Sequence, residues 1–164
     1  MIVSQRWRQY FLRLCLEHAR MSKDPNTQVG ALIVDGDMNI LTSGFNGFPR
    51  GIFDTRDRLN DRDRKLGLVL HAEINCLMQA ARTGVKVKSA TLFLVATDAT
   101  GQVWGGPPCS RCALHLIQAG VRWIIAPPQK QNSKWKDDID YSRHLLIEAG
   151  VKFYEQPLLV DDEK

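Results

Sequence analysis

The chain has no long apolar run. No stretch approaches the roughly 20 consecutive apolar residues that a membrane-spanning helix needs, and the first residues (MIVSQRWRQYF) lack the uninterrupted apolar stretch of a signal peptide. Internal repeats and low-complexity segments are also absent. We therefore expect a cytoplasmic protein with no membrane partner.

Cysteine is scarce, and charge of either sign is not concentrated. Four cysteines in 164 residues are too few and too irregularly spaced for a disulfide framework. The 22 Lys and Arg residues against 18 Asp and Glu residues give a net charge of +4, with acids and bases interspersed. This pattern permits an anionic ligand but lacks the basic block of a nucleic-acid-binding surface. Metal binding by some of the cysteines remains open, and no nucleic-acid partner is expected.

The hydrophobic pattern is typical of one globular domain, which we place at residues 1–157, followed by an acidic, flexible tail at 158–164. A helix is predicted over 7–21 and a hairpin over 29–43. Residues 44–51 are rich in turn formers, and the alternating charges of 54–65 favour an exposed, self-paired loop or helix over a phosphate-binding groove. Helices and strands then alternate, at about 71–82, 90–96, 109–119, 121–126, 137–149 and 151–154. The order predicts an α/β fold with a mixed five-stranded sheet and helices on both faces.

Two short motifs carry the chemistry: HAE at 71–73 and PCSRC at 108–112. Each motif opens a predicted helix. The C-x-x-C spacing puts the sulfurs of Cys109 and Cys112 on one face of a first helical turn, where they can hold one ion together with His71. Three protein ligands with an open fourth position are typical of catalytic zinc. A redox pair is the alternative interpretation of C-x-x-C.

A structural zinc site would need a fourth protein ligand. Five other residues have suitable side chains but no recognisable metal-binding spacing with the trio: Cys15, Cys76, His18, His115 and His144. Cys76 is the nearest rival, but it lies about 140° around the helix from His71 and should point elsewhere. Water is therefore the favoured fourth ligand. Zinc lowers the pKa of a bound water towards about 7, which supplies hydroxide at neutral pH.

Glu73 is the candidate proton carrier. It follows His71 by two residues and so projects about 200° away on a regular helix, beside the ion and not onto it. A carboxylate in that place can take a proton from the water and deliver protons to a ring nitrogen and to leaving ammonia. The residues thus predict hydrolytic deamination of an amino-heterocycle, and H-x-E followed by P-C-x-x-C is the signature of zinc nucleobase deaminases.

The chain resembles the deoxycytidylate deaminase family of the cytidine deaminase superfamily over about residues 10–154. The shared blocks are DPNTQVGA (24–31), GFNGFPRG (44–51), HAEIN (71–75), PCSRC (108–112) and LIQAGV (116–121). The block at 44–51 resembles the dCMP enzymes in particular. The resemblance implies a cytidine deaminase-like three-layer sandwich and conversion of dCMP and water to dUMP and ammonia, which feeds dTTP synthesis.

The resemblance also implies roles for individual residues. It makes His71, Cys109 and Cys112 the zinc ligands and Glu73 the proton shuttle. Substrate contacts fall on Asn46, Asn26 and Ala72, and an effector or phosphate site on Gly47, Phe48, Arg50 and Gly51. Other implied partners are the effectors dCTP and dTTP, Mg²⁺ accompanying a triphosphate, and further copies of the chain in a hexamer or dimer.

The sequence leaves the substrate open. The insertion at 97–107 departs from the family pattern, and Trp104 within it is either a stacking wall for the base or a packing residue against another subunit. Further candidate phosphate ligands are Arg111, Lys134 and Arg143. The alternative functions are a deaminase of another cytosine nucleotide (dCTP, CMP or a 5-substituted dCMP), a tRNA adenosine deaminase, and a structural zinc module without catalysis.

Overall fold

A mixed sheet runs through the computed structural model, which describes residues 3–130 and 135–159. The helices of the described residues are α1 (Gln5–Ala19), α2 (Arg56–Asn60), α3 (Arg62–Leu68), α4 (Ala72–Thr83), α5 (Ser110–Gln118) and α6 (Lys136–Glu148). The strands are β1 (Thr27–Val34), β2 (Ile40–Phe45), β3 (Thr91–Asp98), β4 (Val103–Trp104), β5 (Trp123–Ala126) and β6 (Lys152–Glu155).

The strand order is β2-β1-β3-β5-β6. β1 pairs antiparallel with β2 and β3, while β3, β5 and β6 are parallel neighbours. The crossovers between the parallel strands are α5 and α6. The predicted hairpin and mixed five-stranded sheet are therefore confirmed. One further strand, the two-residue β4, pairs with β3 within the region expected to be a loop.

Strand residues alternate between two apolar layers. One layer joins the sheet to α4, α5 and α6 and includes Ala31, Ile33, Leu92 and Leu94. The other joins the sheet to α1 and includes Leu32, Val34, Phe93 and Val95. Successive side chains of a strand point to opposite faces, so a sheet covered on both sides has continuous apolar strands. Helices on both faces are confirmed.

Gly44 allows β2 to approach α4 closely. A Cβ atom at Gly44 would lie 2.6 Å from the carbonyl oxygen of Ala72 and 2.9 Å from the backbone nitrogen of Cys76. Only a residue without a side chain fits this distance between two backbones. The close contact fixes the first turn of α4 against the sheet.

Residues 54–65 differ from the expectation of an exposed segment. They contribute α2 and most of α3, and Lys65 is only 8% exposed. The prediction of self-pairing holds for Arg64, whose guanidinium lies 3.2 Å from Asp61, but fails for Lys65. The reason is a tertiary contact, because the Lys65 ammonium reaches Asp24, 41 residues earlier in the chain.

The predicted tail begins with residues that make contacts. Leu158 packs against the apolar layer of α1, and the backbone N–H of Leu159 donates to the Gln9 side chain at 2.9 Å. Residues 160–164, on which the rest of that prediction falls, lie outside the described residues. Among the described residues, every helix is too short or too polar to cross a bilayer.

Candidate active site

Two helix N-termini meet at the predicted metal ligands. His71 is the residue immediately before α4, and Cys109 is the residue immediately before α5. A residue in this place often uses its side chain to cap the helix, but neither His71 nor Cys109 does so. Both side chains therefore remain available to a ligand, and Cys112, one turn into α5, faces the same point.

The three side chains fit a zinc ion. Their ligand atoms all lie within 4.8 Å of one another, and Nδ1 of His71 is 3.4 Å from each of the two sulfurs. Zinc–sulfur and zinc–nitrogen bonds of normal length at a tetrahedral angle place nitrogen and sulfur about 3.6 Å apart. A ligand set of one imidazole and two thiolates is also among the sets that bind zinc in catalytic sites.

The electrostatics of the trio already favour a thiolate. A hydrogen bond from Cys112, together with His71, lowers the pKa of Cys109 to about 4. The hydrogen bond to Cys109 raises the pKa of His71 to about 9, and the pKa of Cys112 is raised because it shares its proton with Cys109. Metal ligands bind in their deprotonated forms, so zinc would displace the remaining protons.

No fourth His, Cys, Asp or Glu joins the trio within residues 3–130 and 135–159. Cys76 lies in the core, where its thiol donates to the carbonyl of Ala31 at 3.4 Å, as the helical spacing predicted. Cys15 is also fully buried in the core. His18 and His115 each contact a backbone carbonyl of their own helix, at 3.0 Å and 2.6 Å.

A cavity of about 520 Å³ opens beside the trio, which is within the range of about 300–1,000 Å³ typical of small-molecule sites. His71, Cys109 and Glu73 line it. Glu73 is only 4% exposed, and burial raises the pKa of its carboxyl. The cavity therefore brings a carboxyl group with a perturbed pKa next to the candidate metal ligands, an arrangement typical of proton-transfer sites.

Asn46 and Asn26 also line the cavity. The Asn46 amide is held by β1, because its nitrogen donates to the carbonyl of Thr27 at 2.9 Å and its oxygen accepts from the N–H of Val29 at 2.7 Å. An amide has a second N–H and a second lone pair, so Asn46 retains one donor and one acceptor for a ligand. Asn26 is exposed at the start of β1.

The other predicted contacts lie away from the cavity lining. Ala72 is fully buried in the apolar layer of α4. Gly47 pairs with Leu70, so the glycine-rich loop adjoins the segment leading to His71, but Gly47, Phe48, Arg50 and Gly51 do not line the cavity. Their proposed roles with substrate, effector or phosphate stay predictions.

Among the described candidates for phosphate binding, Arg50, Arg111 and Arg143, none lines the cavity. Arg143 pairs with Glu155 at 2.8 Å, Arg111 is absent from the cavity lining, and Lys134 lies outside the described residues.

The sequence interpretation missed one wall of the cavity, formed by α3. Arg62, Lys65, Leu66 and Val69 line it, and their spacing of i, i+3, i+4 and i+7 is that of a single helical face. This spacing is a signal that could have found the wall, but the alternating charges of the segment obscured it. The insertion at 97–107 also contributes, because Trp104 lines the cavity, and its suggested role as a stacking wall stays a prediction.

Residues of α6 form hydrogen bonds with the PCSRC motif. Both oxygens of Asp138 contact Ser110, one accepting from its backbone N–H at 3.0 Å and the other from its hydroxyl at 2.5 Å. The fully buried Ser142 donates to the carbonyl of Pro108 at 2.7 Å. The residues on either side of Cys109 are thus fixed by α6.

We expect Asp138→Ala to weaken zinc binding, because the turn that carries Cys109 loses two hydrogen bonds. Loss of such outer contacts typically costs about 10- to 100-fold in metal affinity. The measurement is the rate of zinc transfer to a chromogenic chelator. Asp137→Ala is the control, since it removes the same charge from an exposed neighbour, and equal transfer rates for the two variants would contradict the expectation.

Comparison with known proteins identifies the family. Residues 5–126 match the model of the cytidine and deoxycytidylate deaminase zinc-binding region. The deoxycytidylate deaminase of Homo sapiens is 36% identical over 152 residues, which cover 90% of this chain and 78% of that protein. An uncharacterized deaminase of Aliivibrio fischeri is 32% identical over 157 residues, which cover 93% of this chain and 95% of that protein.

Solved structures share the fold. The dCMP deaminase of cyanophage S-TIM5 in complex with dCMP and dUMP has a TM-score of 0.70 and 21% identity, with 94% of this chain and all of that chain covered (100%). A diaminohydroxyphosphoribosylaminopyrimidine deaminase/reductase of Thermotoga maritima has a TM-score of 0.62 and 19% identity, covering 92% of this chain and 36% of that one. At these identities the likeness shows the fold alone. Family model and sequence identity together establish that the chain belongs to the cytidine and deoxycytidylate deaminase family.

Proposed function

We propose that the protein is a zinc-dependent hydrolase that converts dCMP and water to dUMP and ammonia. The observation that carries the proposal is the His71, Cys109 and Cys112 cluster beside a cavity that also contains the buried Glu73. Membership of the family, and 36% identity to a deoxycytidylate deaminase, support the choice of substrate.

His71, Cys109 and Cys112 would hold the zinc ion. Zinc in such a site supplies Lewis acidity that makes water nucleophilic near neutral pH. Glu73 accepts a proton from the attacking water and passes a proton to N3 of the cytosine ring. After the C–O bond forms at C4, Glu73 takes the second proton from the oxygen now on C4 and transfers it to the amino group, which leaves as ammonia when the C4–N bond breaks.

The remaining lining positions the nucleotide. Asn46 has one donor and one acceptor to spare for the sugar or base, and Asn26, just before β1, lines the same cavity. Trp104 offers an aromatic face, and its buried indole N–H has no partner among the described residues. Stacking against an aromatic ring suits a planar base.

Other parts of the proposal extend beyond this site. Regulation by dCTP and dTTP at Gly47, Phe48, Arg50 and Gly51, assembly into a hexamer or dimer, and a cytoplasmic location stay predictions. Nothing in the described residues supports Mg²⁺, because the His71 trio is the one group of three or more metal-binding side chains found there.

Turnover should be greatest with dCMP when the zinc-loaded protein is offered dCMP, CMP, dCTP, a 5-substituted dCMP, deoxycytidine and cytosine. The loss of absorbance on conversion of cytosine to uracil measures each rate. A preference for another cytosine nucleotide would support the proposed deamination reaction but show that dCMP is not the main substrate. Absence of turnover with all six would contradict the proposed function and favour a structural zinc module.

A further inference from the structure

Lys65 and Asp24 form a buried ion pair in the wall of the cavity. The Lys65 ammonium is 3.0 Å from Oδ1 of Asp24, and the two side chains are 10% and 8% exposed. The same oxygen accepts from the backbone N–H groups of Asn26 and Thr27, at 2.8 Å and 3.1 Å. Asp24 is therefore held by the backbone at the start of β1 and in turn holds Lys65 in place.

The Lys65 ammonium lies in the cavity lining with donors that the pair with Asp24 does not use. An ammonium group has three N–H donors, and Asp24 is the hydrogen-bond partner of Lys65 among the described residues. Buried donors without partners are costly. An acceptor that enters the cavity beside Lys65 would relieve this cost, while Asp24 keeps the lysine charged.

Arg62 adds a positive charge without a counter-charge. It lies one turn before Lys65 on the same face of α3 and lines the cavity. Within residues 3–130 and 135–159, the guanidinium of Arg62 has no hydrogen-bond or ion-pair partner. On the α3 side two cations share one carboxylate, while the other two carboxyl groups of the lining, Glu73 and Asp138, lie on α4 and α6.

We infer that Arg62 and Lys65 form an anion subsite that binds the 5′-phosphate of the substrate, so that the enzyme prefers a nucleotide over the matching nucleoside. This inference rests on the proposed function. A guanidinium can contact two phosphate oxygens at once, and an ammonium adds a compact charge. Both donors lie on a short rigid helix, which fixes the spacing between phosphate and base.

Arg62→Gln is the variant of choice, because Arg62 is exposed and its loss leaves the Lys65–Asp24 pair intact. We expect wild-type protein loaded with zinc to bind dUMP at least about 100-fold more tightly than deoxyuridine, and Arg62→Gln to reduce that preference by about 10- to 100-fold. Its affinity for deoxyuridine should not change. Titration calorimetry measures both dissociation constants, and Arg62→Lys should retain part of the preference.

Arg64→Gln is the matched control, since Arg64 lies on the same helix but pairs with Asp61 and Asp57 and is absent from the cavity lining. An unchanged preference in Arg62→Gln, or an equal loss of affinity for both ligands, would overturn the inference. So would a wild-type protein that binds deoxyuridine as tightly as dUMP. Binding is measured without turnover, so a protein that prefers dUMP but does not deaminate dCMP would refute the proposed function alone.

Discussion

Glu73→Gln should lower kcat for dCMP by about 10²- to 10⁴-fold, the usual contribution of a general acid–base group. Glutamine keeps the shape of the side chain but cannot carry a proton between water, ring nitrogen and leaving group. Zinc content should not change, because Glu73 is not among the three clustered ligands. Steady-state kinetics and metal analysis of the same preparation measure the two quantities.

Glu148→Gln is the control for this experiment, because it makes the same chemical change at an exposed position at the end of α6. It should leave kcat unaffected. Full turnover by Glu73→Gln would show that another group moves the protons. Loss of zinc from Glu73→Gln would show that its carboxylate supports the metal directly.

Cys112→Ala should abolish both zinc retention and turnover. Cys112 is 2% exposed and lies 3.4 Å from the His71 nitrogen, so its loss leaves two ligands and a small void where the third stood. The free energy of unfolding should fall as well, because a ligand that binds only the native site stabilises the protein by an amount that grows with the logarithm of its affinity. Metal analysis, activity and thermal unfolding with and without added zinc measure these effects.

Cys76→Ala provides the comparison, since it removes a buried thiol from the same layer without touching the trio. We expect it to cost some stability through the small cavity it leaves, while zinc content stays at the wild-type level. If Cys112→Ala retained zinc, the His71, Cys109 and Cys112 assignment would be wrong. Equal zinc loss from Cys76→Ala would point to general unfolding as the cause.

The residues of the site that could be predicted lie close together in short sequence motifs. The ligands lie in two motifs whose spacing is set by one turn of helix, so His71, Cys109 and Cys112 could be grouped before any fold was known. Cys76 could be set aside by the same helical geometry, and its contact with Ala31 agrees. The alternation of apolar strands and amphipathic helices likewise sufficed for the sheet and its two covered faces.

The parts that were missed depend on contacts between distant segments. In the sequence, Lys65 is one of several charged residues in a polar segment. Only the structure shows that its ammonium contacts Asp24, 41 residues away. Asp138 gave no signal because its partner, Ser110, is 28 residues earlier and on another helix. The strand at Val103–Trp104 is only two residues long, and a strand of that length has no periodicity to detect.

The close contact at Gly44 limits how the active site could be built into another protein. A methyl group there would collide with the backbone of Ala72, one residue from both His71 and Glu73. Such a change would force the helix that presents those two side chains away from the strand. A designed protein that carries the histidine, the glutamate and the two cysteines of this site would therefore also need a glycine at the matching position of the neighbouring strand.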